Sequence, residues 1–128
     1  MASYGEKLQT YELIKRTMLD MIMDLKEIFN QSAEEEDDMI KVHIYFKDMH
    51  PETAFNHVKK FILPHQAKIK ERDMIFFLQN DGIFSGLNDK KVSYYSRLIA
   101  GKTRMAEEDK TAIWDYLEVI LYYVNKVK

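Results

Sequence analysis

The stretch Ser32–Phe46, SAEEEDDMIKVHIYF, decides the fold class. Its second half, KVHIYF at 41–46, alternates in hydropathy and is rich in β-branched and aromatic residues, a combination that fits a short strand. Its first half reads differently. Ser32 is a natural helix N-cap, and Glu34, Glu35 and Glu36 fall where the positive end of a helix dipole favours carboxylates. No other segment offers KVHIYF a convincing strand to pair with, so the helix reading is preferred and the chain reads as all-α. In that reading EEEDD, residues 34–38, is the solvated start of a helix. It could attract a divalent cation, but it lacks the alternating ligands and glycine turn of an EF-hand loop.

The flanking segments have helical periodicity. In LQTYELIKRTMLDMIMDLKEIF (8–29), Leu8, Tyr11, Ile14, Met18, Met21, Leu25 and Ile28 recur every three or four residues, and Leu13, Ile22 and Phe29 broaden the stripe. The dense methionines 18, 21 and 23 read as adaptable core packing. Pro51 suits the first turn of a third helix carrying Ala54, Phe55, Val58, Phe61 and Ile62, and Pro64 ends or bends it. HQAKIKERDMIFFLQN (65–80) reads as a fourth apolar segment holding Ile69, Met74, Phe76, Phe77 and Leu78, with the two phenylalanines directed to different parts of the core or to an interface. Asp81-Gly82 and Gly86 with Asn88-Asp89 mark turns. Val92, Tyr95, Leu98 and Ile99 then define a short helix capped near Gly101. A last helix runs from near Met105 almost to Lys128, with Glu107, Glu108 and Asp109 in its first turn and Ile113, Leu117, Ile120, Leu121 and Val124 as its stripe. The expected architecture is a compact irregular bundle of five or six helices, with residues 1–128 forming a single helical domain.

Composition limits the alternatives. The apolar set is 46% of the chain and the charged set 31%, as in a packed globule with a charged exterior. There is no cysteine, which excludes disulfides and thiolate chemistry. A formal charge of −2 gives no general affinity for polyanions. MASYGEKLQTYELIKR lacks the apolar run of a secretory signal, and IWDYLEVILYYV is shorter than a bilayer span and carries Asp115 and Glu118. No membrane insertion is expected.

EEDKTAIWDYLEVILYYV (107–124) resembles the ending of a group of small helical proteins from large nucleocytoplasmic DNA viruses, in which a helix with Ile-Trp-x-Tyr-Leu closes the domain. FNHVKKFILPHQAKIKERDMIFF (55–77) shares the resemblance, which covers roughly half of the chain. The matching residues are Phe55, His57, Val58, Ile69, Asp73, Phe76 and Phe77, then Ile113, Trp114, Tyr116 and Leu117. Asp115 stands where the group often has a basic residue, and Glu118 where an amide is expected. The resemblance implies a viral origin and a helical fold, with a location in the host cytoplasm or the virion. It transfers no catalytic or ligand residue.

The candidate chemistry is sparse. His43, His50 and His57 are seven residues apart, but Pro51 interrupts the helix that would align them, so structural or solvent-facing roles are favoured over a metal site. His65 follows Pro64 and reads as a turn residue. Gly82, Gly86 and Gly101 fit turns or caps, and GKTR (101–104) lacks the spaced glycine of a phosphate loop. No serine sits in a nucleophile elbow. Catalytic residues, cofactors and metal ligands are therefore not expected. Lys59, Lys60, Lys68, Lys70 and Arg72 form a candidate nucleic-acid contact, extended by Lys90, Lys91, Lys102 and Arg104, with Tyr94 and Tyr95 as stacking candidates. Trp114, Tyr116, Tyr122 and Tyr123 form a candidate protein interface, although Trp114 is expected in the core. The resulting expectation is a noncatalytic viral structural, accessory or scaffolding protein that acts through protein contacts, self-association among them. A nucleic-acid-associated factor using the basic central face is the alternative.

Overall fold

The first long helix, α1 (Tyr4–Ile28), begins where the Ser3 hydroxyl accepts the Glu6 amide at 3.2 Å, and it buries Tyr11, Ile14, Met18, Met21, Ile22 and Leu25. The computed structural model describes residues 3–79 and 82–127. Three helices pack against α1: α2 (Ala33–Lys47), α3 (Pro51–Ile62) and the closing helix, α7 (Glu107–Val127). Between α3 and α7 lie a 3-10 turn (Leu63–His65), two five-residue helices, α4 (Gln66–Lys70) and α5 (Ile75–Gln79), and α6 (Asp89–Ala100). With α3, the 3-10 turn and α4 taken as one bent helix, the described residues form six helical units and no strand.

KVHIYF is the second half of α2, so the strand alternative is overturned. Ser32 Oγ accepts the Glu35 amide at 3.1 Å, and Met39, Val42 and Phe46 face the core at helical spacing. Pro51 occupies the first turn of α3, where it has no amide to lose. Pro64 bends the chain into the 3-10 turn.

The 65–80 segment departs from its reading as one apolar element. After α4, Arg72 takes a left-handed conformation (φ 53°), and the Asp73 amide closes back on the Lys68 carbonyl at 2.9 Å. Asp73 then starts α5, its carboxylate accepting the Ile75 amide at 3.0 Å. Phe76 and Phe77 do not separate to different regions. They pack on each other and on one indole, with ring centroids 5.2 Å apart and 6.0 and 4.8 Å from Trp114, while Leu78 is exposed.

Gly101 caps α6, its amide reaching the Arg97 carbonyl at 2.8 Å, but in extended rather than left-handed backbone. Lys110, buried in α7, donates to the Gly101 carbonyl and so satisfies the end of α6 from the neighbouring helix. The expected Asp81-Gly82 turn is described only at Gly82. A Cβ there would lie 2.0 Å from a Phe61 ring carbon, so only glycine fits the approach. Asp81 and Lys128 lie outside the described residues. The apolar stripe of α7 is buried as read, and one hydrophobic cluster contains residues from every α-helix.

Candidate functional site

Helix α2 turns Glu35 and Asp38, one turn apart, into the protein, although both belong to the acidic run read as solvated. Glu34, Glu36 and Asp37 do remain exposed. Carboxylates can leave water only against strong partners, and both have them. Glu35 is forked by both terminal nitrogens of Arg104, and it also accepts the Tyr94 hydroxyl at 2.9 Å and the Gln31 amide at 3.2 Å. Asp38 accepts Lys91 Nζ and the Tyr95 hydroxyl, each at 2.6 Å. Arg104 also lies over the Phe29 ring, 5.6 Å from its centroid.

The electrostatics follow from these contacts. The Arg104 guanidinium holds the Glu35 carboxyl below its ordinary value. Asp38 raises the Lys91 ammonium, while burial, reinforced by Asp38, pushes the Tyr95 phenol up. Glu35 is thus ionised and Tyr95 protonated at neutral pH. The node ties α2 to α6 and to the segment before α7. Ser32, Asn88 and Lys90 help to line a cleft of about 400 Å³ beside it.

A second polar contact joins residues that local sequence could not connect. His57 Nε2 lies 2.8 Å from Ser85 Oγ, and Ser85 Oγ donates to the Gly82 carbonyl at 2.7 Å. The Ser85 hydroxyl thus bridges the His57 ring and the Gly82 carbonyl. The Tyr45, Phe46 and Phe61 rings surround the imidazole edge-on. The three histidines of the seven-residue series have separate roles. His43 is half-buried on α2, and His50 Nδ1 accepts the Glu52 amide to cap α3. No group of three His, Cys, Asp or Glu among the described residues is placed to hold a metal ion. His65 packs edge-on against Phe76, and burial lowers its imidazole below the usual range.

The basic residues have different partners. Lys59 lies over the Phe55 ring, and Lys60 borders the His57 cleft. Lys68 is half-buried on α4, while Lys70 shares a cleft of about 560 Å³ with Glu118, Leu121 and Tyr122 of α7. Arg72 is clamped by Asp115 at 2.6 Å and by Glu118. Lys91 and Arg104, read as extensions of the patch, are neutralised within the α2 node. Lys90 and Lys102 remain exposed.

The four aromatic candidates on α7 also divide. Trp114 is buried against Phe76 and Phe77. The Tyr116 hydroxyl donates to Asp24 of α1 at 2.8 Å, and that carboxylate, together with burial, pushes the phenol up to about 12. Tyr123 is half-buried, edge-on to Tyr122, and Tyr122 is 64% exposed. A separate apolar surface went unnoticed in the sequence. Met23 of α1 and Ile40 of α2 line one groove, and Ile44 follows one turn beyond, all three exposed.

The fold and these sites define an all-α bundle in which the two buried carboxylates, Glu35 and Asp38, are matched by cations and phenols. Comparison with known proteins finds no matching family model, curated protein or solved structure. No helix among the described residues is long and apolar enough to cross a membrane.

Proposed function

We propose that the protein is a noncatalytic accessory or scaffolding component that acts through protein–protein contacts. The setting implied by its sequence resemblance is infection by a large nucleocytoplasmic DNA virus, in the host cytoplasm or the virion. The observation that carries the reading is the exposed aliphatic group of Met23, Ile40 and Ile44. Burying such side chains against a partner is favourable by roughly 25 cal/mol per Å² of apolar surface. Meanwhile the strongest polar groups, at Glu35, Asp38 and Arg104, are occupied by partners within the fold. Exposed apolar side chains within a polar surround fit a contact surface better than a reaction centre.

The test is capture of the tagged chain from infected cells with and without Ile40→Glu. Recovery of a stoichiometric protein that the substitution removes is the expected result. Retention that disappears on nuclease treatment would instead favour the nucleic-acid alternative and overturn the proposal.

A further inference from the structure

We infer that the outer face of α2 is a self-association surface on which two copies of the chain pack antiparallel. Asp37, Ile40, Ile44 and Lys47 are spaced three, four and three residues apart, the interval that keeps side chains on one side of a helix facing a partner helix. All four are exposed, with Ile40 at 43% and Ile44 at 48%, and Met23 of α1 widens the apolar strip beside Ile40. Neither Asp37 nor Lys47 takes part in an ion pair among the described residues. The seam therefore has an acid at one end, two isoleucines in the middle and a base at the other end.

That order selects both the occupant and its direction. In an antiparallel pair centred between the isoleucines, Ile40 of each copy meets Ile44 of the other and Asp37 meets Lys47 at both ends, while exposed Glu36 and Asp48 come opposite each other on the rim, where water and salt screen them. In a parallel pair Asp37 would face Asp37 and Lys47 would face Lys47, which like-charge repulsion disfavours. The antiparallel arrangement is two-fold and closes on itself, so it predicts a dimer rather than a filament. Lys41 lies on the rim near the dyad, where its solvated ammonium can turn outward. A contact based on one 15-residue helix stands at the small end of protein interfaces, so the dimer is expected at about 100 µM rather than at nanomolar concentration.

The inference rests on the proposed contact-forming role and specifies its partner as a second copy. Sedimentation velocity of the full chain across this concentration range should show the average mass rising from one chain towards two. Ile40→Glu should keep the helical circular dichroism and abolish the rise. Asp37→Lys or Lys47→Asp alone should weaken the dimer by about tenfold or more, since each places like charges opposite one another. An equimolar mixture of those two variants should recover to within about threefold of the original, because each chain supplies the charge the other lacks. A chain that stays monomeric, a dimer indifferent to Ile40→Glu, or a mixture that does not recover would overturn the inference. Capture of a different protein by a monomeric chain, lost on Ile40→Glu, would overturn the self-association alone and leave the proposed function standing.

Discussion

Helices α2 and α7 distribute polarity differently. In α7 the aliphatic stripe from Ile113 to Val124 is buried, while Asp115 and Lys126 lie outside. In α2 the buried face includes Glu35 and Asp38 beside Met39, Val42 and Phe46, and the outer face exposes Ile40 and Ile44. The difference comes from the neighbours. α7 packs its stripe into the shared apolar core, whereas α2 sends Met39, Val42 and Phe46 into that core and turns Glu35 and Asp38 to a cluster of cations and phenols from α6 and the segment before α7. Hydrophobic period identifies the buried face only when the neighbouring surface is apolar. Where the neighbour presents charge, electrostatic matching decides which side turns inward.

The strongest way to break the comparison is to remove one charge from the α2 node. Arg104→Met leaves Glu35 buried without its cation and should cost about 3 kcal/mol, the low end for a buried pair because Arg104 keeps 14% of its side chain exposed. Thermal denaturation should show Tm roughly 10 °C lower for a chain of this size. Adding Glu35→Met should recover much of the loss, because two well-packed apolar groups can replace a buried ion pair. An equal loss in the double variant would mean that the carboxylate is needed for the Gln31 and Tyr94 contacts as well. A corresponding deletion on the exposed face, Ile44→Thr, should leave the dilute monomer within about 0.5 kcal/mol of the original.

Tyr95→Phe is a smaller intrusion. It removes the hydroxyl that Asp38 accepts at 2.6 Å but leaves Lys91 in place, so a cost of about 1–2 kcal/mol is expected in urea unfolding. The pH dependence of the same unfolding should separate the node from the rest. Because Glu35 is held below its ordinary value of 4.5, its contribution is fully present above that pH and is lost as pH falls through the lower folded value. Arg104→Met should flatten this acid limb. His43 and His65 are also lowered, mainly by burial, so the unfolded chain takes up their protons first and stability should begin to decline as pH drops below about 6.5.

Much of the fold was legible because its signals are local. Ser32, Pro51 and the α7 stripe act through caps and periodicity within a few residues, and each works as read, whereas Asn88, read as part of a turn, caps α6. The node was not legible, since Glu35 meets Arg104 across 69 residues and Asp38 meets Tyr95 across 57. The one available hint was the i, i+3 spacing of those acids with apolar Met39 and Val42 on the same side of α2. His57 and Ser85 had no local signal, being 28 residues apart. The outer seam of α2 could have been found by reading the helix for two faces rather than one.

A small effect is expected at the α4–α5 turn, where two terms oppose. Arg72 sits at φ 53°, which costs a residue with a Cβ roughly 1–2 kcal/mol, and its ion pairs with Asp115 and Glu118 are solvent-exposed, worth at most about 1 kcal/mol. Arg72→Ala loses the pairs and keeps the strain, so it should destabilise by up to about 1 kcal/mol. Arg72→Gly loses the pairs and relieves the strain, so it should match the original chain or slightly exceed it. Equal losses in both variants would show that the contacts to α7, not the backbone, fix the turn.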